Sequence, residues 1–273
     1  MALTGSAKSG EYKDLPEAYE LEERSRPDEM AMLSFAQHLA TQSLNDVSSA
    51  AVLDLCCGTG LSFEEVLDHP SVGVLVGIDI SPQYLAFARN KFETKSVQPM
   101  LILGDAVTTP LPPFTWDVVM MASAYHHIED SRKLAFLRRV RALLGTHGIG
   151  IIAENILPEY SPGDRDGYAR SIKTFYDAVL ETARSSNPYL PRHVEMLIQR
   201  VAQYGYDGEY EYKVSYSIFL DDLSRAGLRI VQEVRVWPLS GPVGADGGNY
   251  VFVVVPDQAE DDRVHLIKKD LSP

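Results

Sequence analysis

The stretch Val52-Leu-Asp-Leu-Cys-Cys-Gly-Thr-Gly60 decides the fold. Ala51 to Leu55 is a short apolar run, long enough for a buried strand, with a single acid, Asp54, near its end. Gly58 and Gly60 follow at once, and a helix-like pattern begins near Ser62. A strand that passes through a glycine turn into a helix brings backbone N–H groups close to a ligand. An acid at the strand tip can hold a cationic amine.

Outward from that turn the chain alternates strand and helix. Apolar runs at 51–55, 74–79, 100–103, 117–121 and 149–154 read as strands, with helices near 62–68, 82–92 and 131–144 between them. That order predicts a parallel sheet with helices on both faces. Upstream, a helix is expected from Pro16, interrupted at Pro27, and a second from Asp28 to Leu44. Asp28 can cap the second, and Met30, Leu33, Phe35, Ala36 and Leu39 give it an apolar side. Residues 1–15 mix Gly, Ser and Lys and are expected to be mobile. Tyr12 and Tyr19 either pack on the domain surface or close over a ligand. Downstream, 156–213 shows no convincing core strand, but helical stretches at 165–185 and 191–204 and a tyrosine-rich turn. A helix near 217–226 then leads to extended runs at Leu228–Trp237 and Tyr250–Val255, joined by the Ser240–Gly248 loop and able to pair as an antiparallel ribbon. The expected organisation is a helical N-terminal lid at 1–48, an α/β core at 49–155, a helical cap insertion at 156–213, and the end of the core at 214–273.

Composition narrows the function. The chain has 273 residues, 45% of them hydrophobic, enough for one large α/β domain with a sizeable insertion. Its formal net charge of −13 argues against nucleic acid or an anionic membrane surface as the partner. No apolar run approaches the length of a membrane span. Cys56 and Cys57, adjacent and the only cysteines, read as buried free thiols, which fits a reducing cytoplasm.

In an open parallel sheet, ligands bind beyond the carboxyl ends of the strands. The first end carries Asp54 and the glycine turn. The second ends in Asp79, about 20 residues on, the spacing at which an acid accepts hydrogen bonds from a ribose diol. The third is Gly104-Asp105-Ala106, whose carboxylate can accept from an adenine amine. The fourth is Met120-Met-Ala-Ser-Ala-Tyr-His-His-Ile128. A nicotinamide dehydrogenase would want a third glycine where Phe63 stands.

With these motifs in this order the chain resembles the class I S-adenosylmethionine-dependent methyltransferases. Their first motif usually reads Asp-Leu-Gly-Cys-Gly-Thr-Gly, so Cys56 replaces a glycine. The resemblance covers roughly 50–155 and, more loosely, 228–255. It implies a Rossmann-like, seven-stranded, mostly parallel sheet with an antiparallel last strand, and S-adenosylmethionine as cofactor. Implied contacts are Asp54, Cys56, Gly58 and Gly60 near the methionine part, Asp79 and Ile80 at the ribose, Asp105 and Ala106 at the adenine, and Ser123 beneath the reactive end. Cys56 either crowds the aminoacyl group or packs behind the turn.

His126 and His127 are candidates for a general base or a polar contact near the methyl group, or a pair that shapes the loop. No third ligand stands at metal-site spacing, so no metal is expected. Asn155 can bind a carboxylate or an amine, or cap its strand. Tyr168 and Phe175 share a helical face with Tyr176 beside it, and an aromatic face attracts a sulfonium. Tyr176 is the first choice for that role and Tyr168 the second.

Three functions follow. The first is methyl transfer to a small acceptor, in small-molecule, secondary metabolism. The second is cyclisation of the cofactor to azetidine-2-carboxylate with release of 5′-methylthioadenosine, as in relatives on this fold that the cap region loosely resembles. The third is cofactor binding without catalysis. The expected partner is a small molecule, with no nucleic acid or membrane, and the oligomeric state stays open.

Overall fold

The computed structural model describes residues 15–145, 148–239 and 247–259. The expectations for residues 1–14, including Tyr12, and for most of the Ser240–Gly248 loop lie outside the described residues.

Seven strands form one sheet in the order β3-β2-β1-β4-β5-β7-β6. They are β1 (Ala50–Leu55), β2 (Val72–Asp79), β3 (Met100–Leu103), β4 (Val118–Ala122), β5 (Ile149–Ile156), β6 (Leu228–Trp237) and β7 (Gly248–Pro256). The first five pair in parallel, and β7 runs antiparallel to both β5 and β6. β1, β5 and β7 are buried along their whole length, which is why they read as continuous apolar runs and not as alternating ones.

Each face of the sheet is covered. On one, α4 (Asp130–Leu144) and α7 (Tyr216–Ala226) bury Phe136, Leu137, Val140, Phe219 and Leu223 against Leu53, Val119 and Phe252. On the other, α2 (Pro27–Ser43) and α3 (Pro82–Lys91) bury Met32, Ala36, Leu39, Leu85 and Ala88 against Val52, Met120 and Val253. α5 (Arg165–Ser186) and α6 (Arg192–Asp207) hold a smaller core of their own around Ile172, Phe175, Val179 and Ile198. α1 (Pro16–Arg24) precedes α2, and Tyr19 stacks on Tyr84 of α3 with ring centroids 5.1 Å apart.

Two local expectations are corrected. The segment after the glycine turn is not an α-helix but two single 3₁₀ turns, Leu61–Phe63 and Val66–Asp68. Phe63, Val66 and Leu67 are all buried, and Pro70 leaves no room for a second turn of helix before β2. Asp28 does not cap α2: Pro27 takes the first helical position behind an extended Arg26, and the Asp28 carboxylate turns inward to Arg26 and Asn249.

Candidate functional site

The carboxyl ends of β1 to β5 gather the expected residues on one edge of the sheet. The turn after β1 is left-handed at three places: Cys56 at φ 64°, Gly58 at φ 54° and Gly60 at φ 78°. Glycine adopts that region freely, whereas a residue with a Cβ pays roughly 1 kcal/mol for it. Cys56 thus occupies a position whose backbone favours glycine, and its side chain packs against the sheet core behind the turn. Gly60 is also sterically required, since a Cβ there would lie 2.5 Å from the Phe92 ring.

The turn is tied to β2. Gly58 N donates to Asp79 Oδ2 at 2.8 Å, and Ser81 N donates to Asp79 Oδ1 at 2.8 Å. Asp79 therefore organises the glycine turn as well as ending its strand. Asp54 is fully buried; its Oδ2 accepts from Ser62 Oγ at 2.5 Å. Burial pushes its carboxyl up to about 7. Asp54 Oδ1 and Thr59 Oγ1 are buried without a hydrogen-bond partner among the described residues. Ile80 is exposed and Ala106 buried. Asp105 accepts from Val107 N at 2.7 Å and from Arg132 Nη2 at 2.6 Å.

β4 and β5 present the second half of the site. His126 Nδ1 makes a short contact with Glu154 Oε1, while Glu154 Oε2 accepts from Tyr125 N at 2.9 Å. Burial, with help from the Lys213 charge and His127, lowers the His126 pKa and keeps the ring neutral. Burial also raises the Glu154 carboxyl; with a proton on Nδ1 toward Glu154 the ring would carry its lone pair on Nε2. That Nε2 lies 3.7 Å from Glu211 Oε2. Burial opposes the charge of Glu211, but interactions led by the Lys213 ammonium outweigh it and hold its carboxyl down to about 2.

Tyr176 is buried and its hydroxyl donates to Glu211 Oε2 at 3.4 Å; Tyr168 donates to the Glu211 carbonyl at 3.2 Å. Asn155 is buried between three partners: it donates to Glu29 at 3.2 Å and to Asn249 at 3.1 Å, and accepts from Lys213 Nζ at 3.1 Å. Ser123, left-handed at φ 48°, donates its hydroxyl to Glu29. His127 is the more exposed of the pair, with Nδ1 2.8 Å from the Tyr210 carbonyl.

His126, His127 and Glu211 bring ligand atoms within 4.8 Å of one another, so the absence of a third ligand in the sequence spacing does not carry over into space. Glu211 is nevertheless engaged by Lys213 Nζ at 3.2 Å.

Sequence reasoning missed the buried charges Glu22, Glu23, Arg26 and Glu29 around α1 and α2, and Glu211 and Lys213 ahead of α7, and placed the buried Asp28 as a helix cap. One signal was available. Glu29 lies three, four and seven residues before Met32, Leu33 and Ala36, on the apolar stripe of its own helix.

Comparison with known proteins agrees with this layout. Residues 52–148 match the family model of a methyltransferase domain. The chain is 31% identical over 135 residues to a demethylmenaquinone methyltransferase of Bacillus licheniformis, covering 47% of this chain and 57% of that one. It is 28% identical over 127 residues to an N-terminal Xaa-Pro-Lys N-methyltransferase of Ailuropoda melanoleuca, covering 46% and 56%. The matches thus span little more than half the length of these relatives. Among solved structures, an S-adenosylmethionine-dependent methyltransferase of Clostridium acetobutylicum superposes with a TM-score of 0.55 at 15% identity, covering 85% of this chain and 94% of that one. The mitomycin 7-O-methyltransferase gives 0.51 at 19% identity, covering 88% and 58%. At such identities the likeness is one of fold. Among the described residues no helix is long and apolar enough to cross a membrane. With its domain at 52–148, its strand order and its turn, the chain carries a methyltransferase domain on the Rossmann-like fold of the class I S-adenosylmethionine-dependent methyltransferases.

Proposed function

We propose that this protein transfers a methyl group from S-adenosylmethionine to a small-molecule acceptor. The observation that carries the proposal is the buried His126–Glu154 pair at the ends of β4 and β5, beneath the N-terminal helices. The glycine turn fits the cofactor on its own chemistry, because the orphaned Asp54 Oδ1 and Thr59 Oγ1 await polar partners there. In this proposal Gly58 and Gly60 lie along the methionine part, with Cys56 packed behind. Asp79 and Ile80 meet the ribose, and Asp105 and Ala106 the adenine. When bound, the cofactor supplies an electrophilic methyl carbon on a sulfonium.

The chain's own residues do the rest. Glu154 fixes the His126 tautomer, and His126 Nε2 takes the proton of the attacking group as its bond to the methyl carbon forms. Tyr176 and Tyr168 line the cap side, where an aromatic face favours a cation. α1 and α2 exclude water and hold the reactants in line, which supplies most of the rate.

Cyclisation to azetidine-2-carboxylate is favoured by the enclosure alone, since Asn155 and Tyr176 are both buried under the lid. It needs a neutral amine, and the carboxylates gathered there hold an amine protonated, so methyl transfer is preferred. Incubation with S-adenosylmethionine and no acceptor separates the readings. The expected result is no rapid turnover, with S-adenosylhomocysteine formed once an acceptor is added. Rapid 5′-methylthioadenosine with azetidine-2-carboxylate would overturn methyl transfer. Tight binding without turnover by any acceptor would leave a cofactor-binding protein.

A further inference from the structure

Arg26, at the entry to α2, sits inside a buried cluster. Its Nη2 lies 3.0 Å from Asp28 Oδ2 and 3.4 Å from Glu29 Oε2, and its Nη1 lies 3.6 Å from Glu23 Oε1. Glu22 acts on it electrostatically as well. One guanidinium thus faces four carboxyls. Acids taken from water in such excess need protons or further cations. Burial raises Glu22 to about 7 and Glu23 well above its ordinary value, so part of the set holds protons when no other cation is present.

The deficit has a place. Glu29 is satisfied by Ser123 and Asn155, and Asp28 Oδ2 by Arg26 and Asn249. Glu23 Oε2 and Asp28 Oδ1 are buried with no hydrogen-bond partner among the described residues. Glu23 acts electrostatically on Tyr19, which packs on Tyr84 beside Gly58, and the neighbouring Arg26 and Glu29 act on Tyr176, which reaches Glu211.

We infer that the open oxygens of Glu23 and Asp28 bind a protonated amine carried by the acceptor. The inference rests on the methyl transfer proposed above and names its substrate class. An ammonium brings three donors and no acceptor, the complement of two carboxylate oxygens that lack donors. A hydroxyl brings one donor and no charge. The same acids keep the amine protonated and therefore non-nucleophilic. The amine is a handle, and a second group of the acceptor stands before His126 to be methylated.

The test is a binding measurement, so its outcome is independent of turnover. The protein saturated with S-adenosylhomocysteine is titrated by calorimetry with methylamine, butylamine, hexylamine and tyramine. Each is compared with its neutral partner: methanol, butanol, hexanol and 4-ethylphenol. The expected result is at least a tenfold preference for one or more amines over their partners, lost in Glu23→Gln and in Asp28→Asn. No preference in any pair would overturn the inference, and so would a preference that survives both substitutions. Affinities for S-adenosylhomocysteine and 5′-methylthioadenosine report folding and the rival occupant. If the variants lose tenfold for the first and nothing for the second, the acids serve the cofactor's own amine and the inference falls. If the variants fail to fold, the comparison on the unmodified protein still decides.

Discussion

Replacing Asp54 with asparagine should flatten the pH dependence of stability in the ligand-free protein. Burial raises this carboxyl to about 7, against an ordinary 3.8, and one of its oxygens has no partner. As pH rises past about 4 the unfolded chain ionises Asp54 while the folded one keeps its proton. The stability is therefore whole below about 4, and falls until about 7. Three tenfold displacements of a protonation equilibrium correspond to a loss of about 4 kcal/mol by pH 8. An asparagine does not ionise, so it abolishes that loss. It keeps the bond from Ser62 through its amide oxygen but leaves its buried NH₂ without an acceptor, at about 1–3 kcal/mol. The Asp54→Asn protein should therefore be equal or superior to the natural one at pH 8 and lose that advantage as pH falls. Urea unfolding of both proteins at the two pH values measures this. The pH 5-to-8 difference should shrink by about 3 kcal/mol in the variant. A difference that stays the same within the error of extrapolation would refute the assignment of a raised carboxyl at the strand tip.

Three further outcomes follow from the site. Asp79→Ala should cut S-adenosylmethionine affinity by about 1–3 kcal/mol, through loss of a charge-assisted hydrogen bond; unchanged affinity would remove the ribose role. Since burial lowers the His126 pKa, its base form persists below pH 6.5, so kcat should hold steady from pH 8 to 6.5 and drop only at more acid pH. A midpoint above 6.5 in the kcat profile would exclude His126 as the base. Asn249→Ala should destabilise the protein by about 1–3 kcal/mol, because it removes two buried hydrogen bonds and leaves Asp28 Oδ2 and Asn155 Nδ2 with one partner each; a change below about 0.5 kcal/mol in urea unfolding would show that water replaces it without cost.

The sheet was legible because β1, β4 and β5 are buried on both faces and so appear as unbroken apolar runs. Asp54, Asp79 and Asp105 stand at strand ends for the same reason. The lid was not legible, since Glu23, Arg26 and Asp28 in a helical stretch look like solvated charges; what buries them is contact with Asn155 and Asn249, distant in sequence. Glu211 and Lys213 were hidden in a tyrosine-rich turn for the same cause: their partners His126 and Asn155 come from other elements. The segment at 62–68 was misread as a helix because apolar spacing alone does not distinguish two tight turns from one helical one.

The bond from Asn249 Nδ2 to Asp28 Oδ2, 3.3 Å long, joins α2 to β7. During synthesis α2 emerges before β7, so its contacts with Ser123 and Asn155 can form ahead of its bond to Asn249. Until then Asp28 has the Arg26 donor but lacks the Asn249 one. The chamber proposed above is thus complete only once β7 has formed, and ligand capture would mark a chain in which α2 and β7 have met. A nick or truncation ahead of β7 should leave most of the parallel sheet its pairing partners while releasing the lid, so that loss of binding would precede loss of fold.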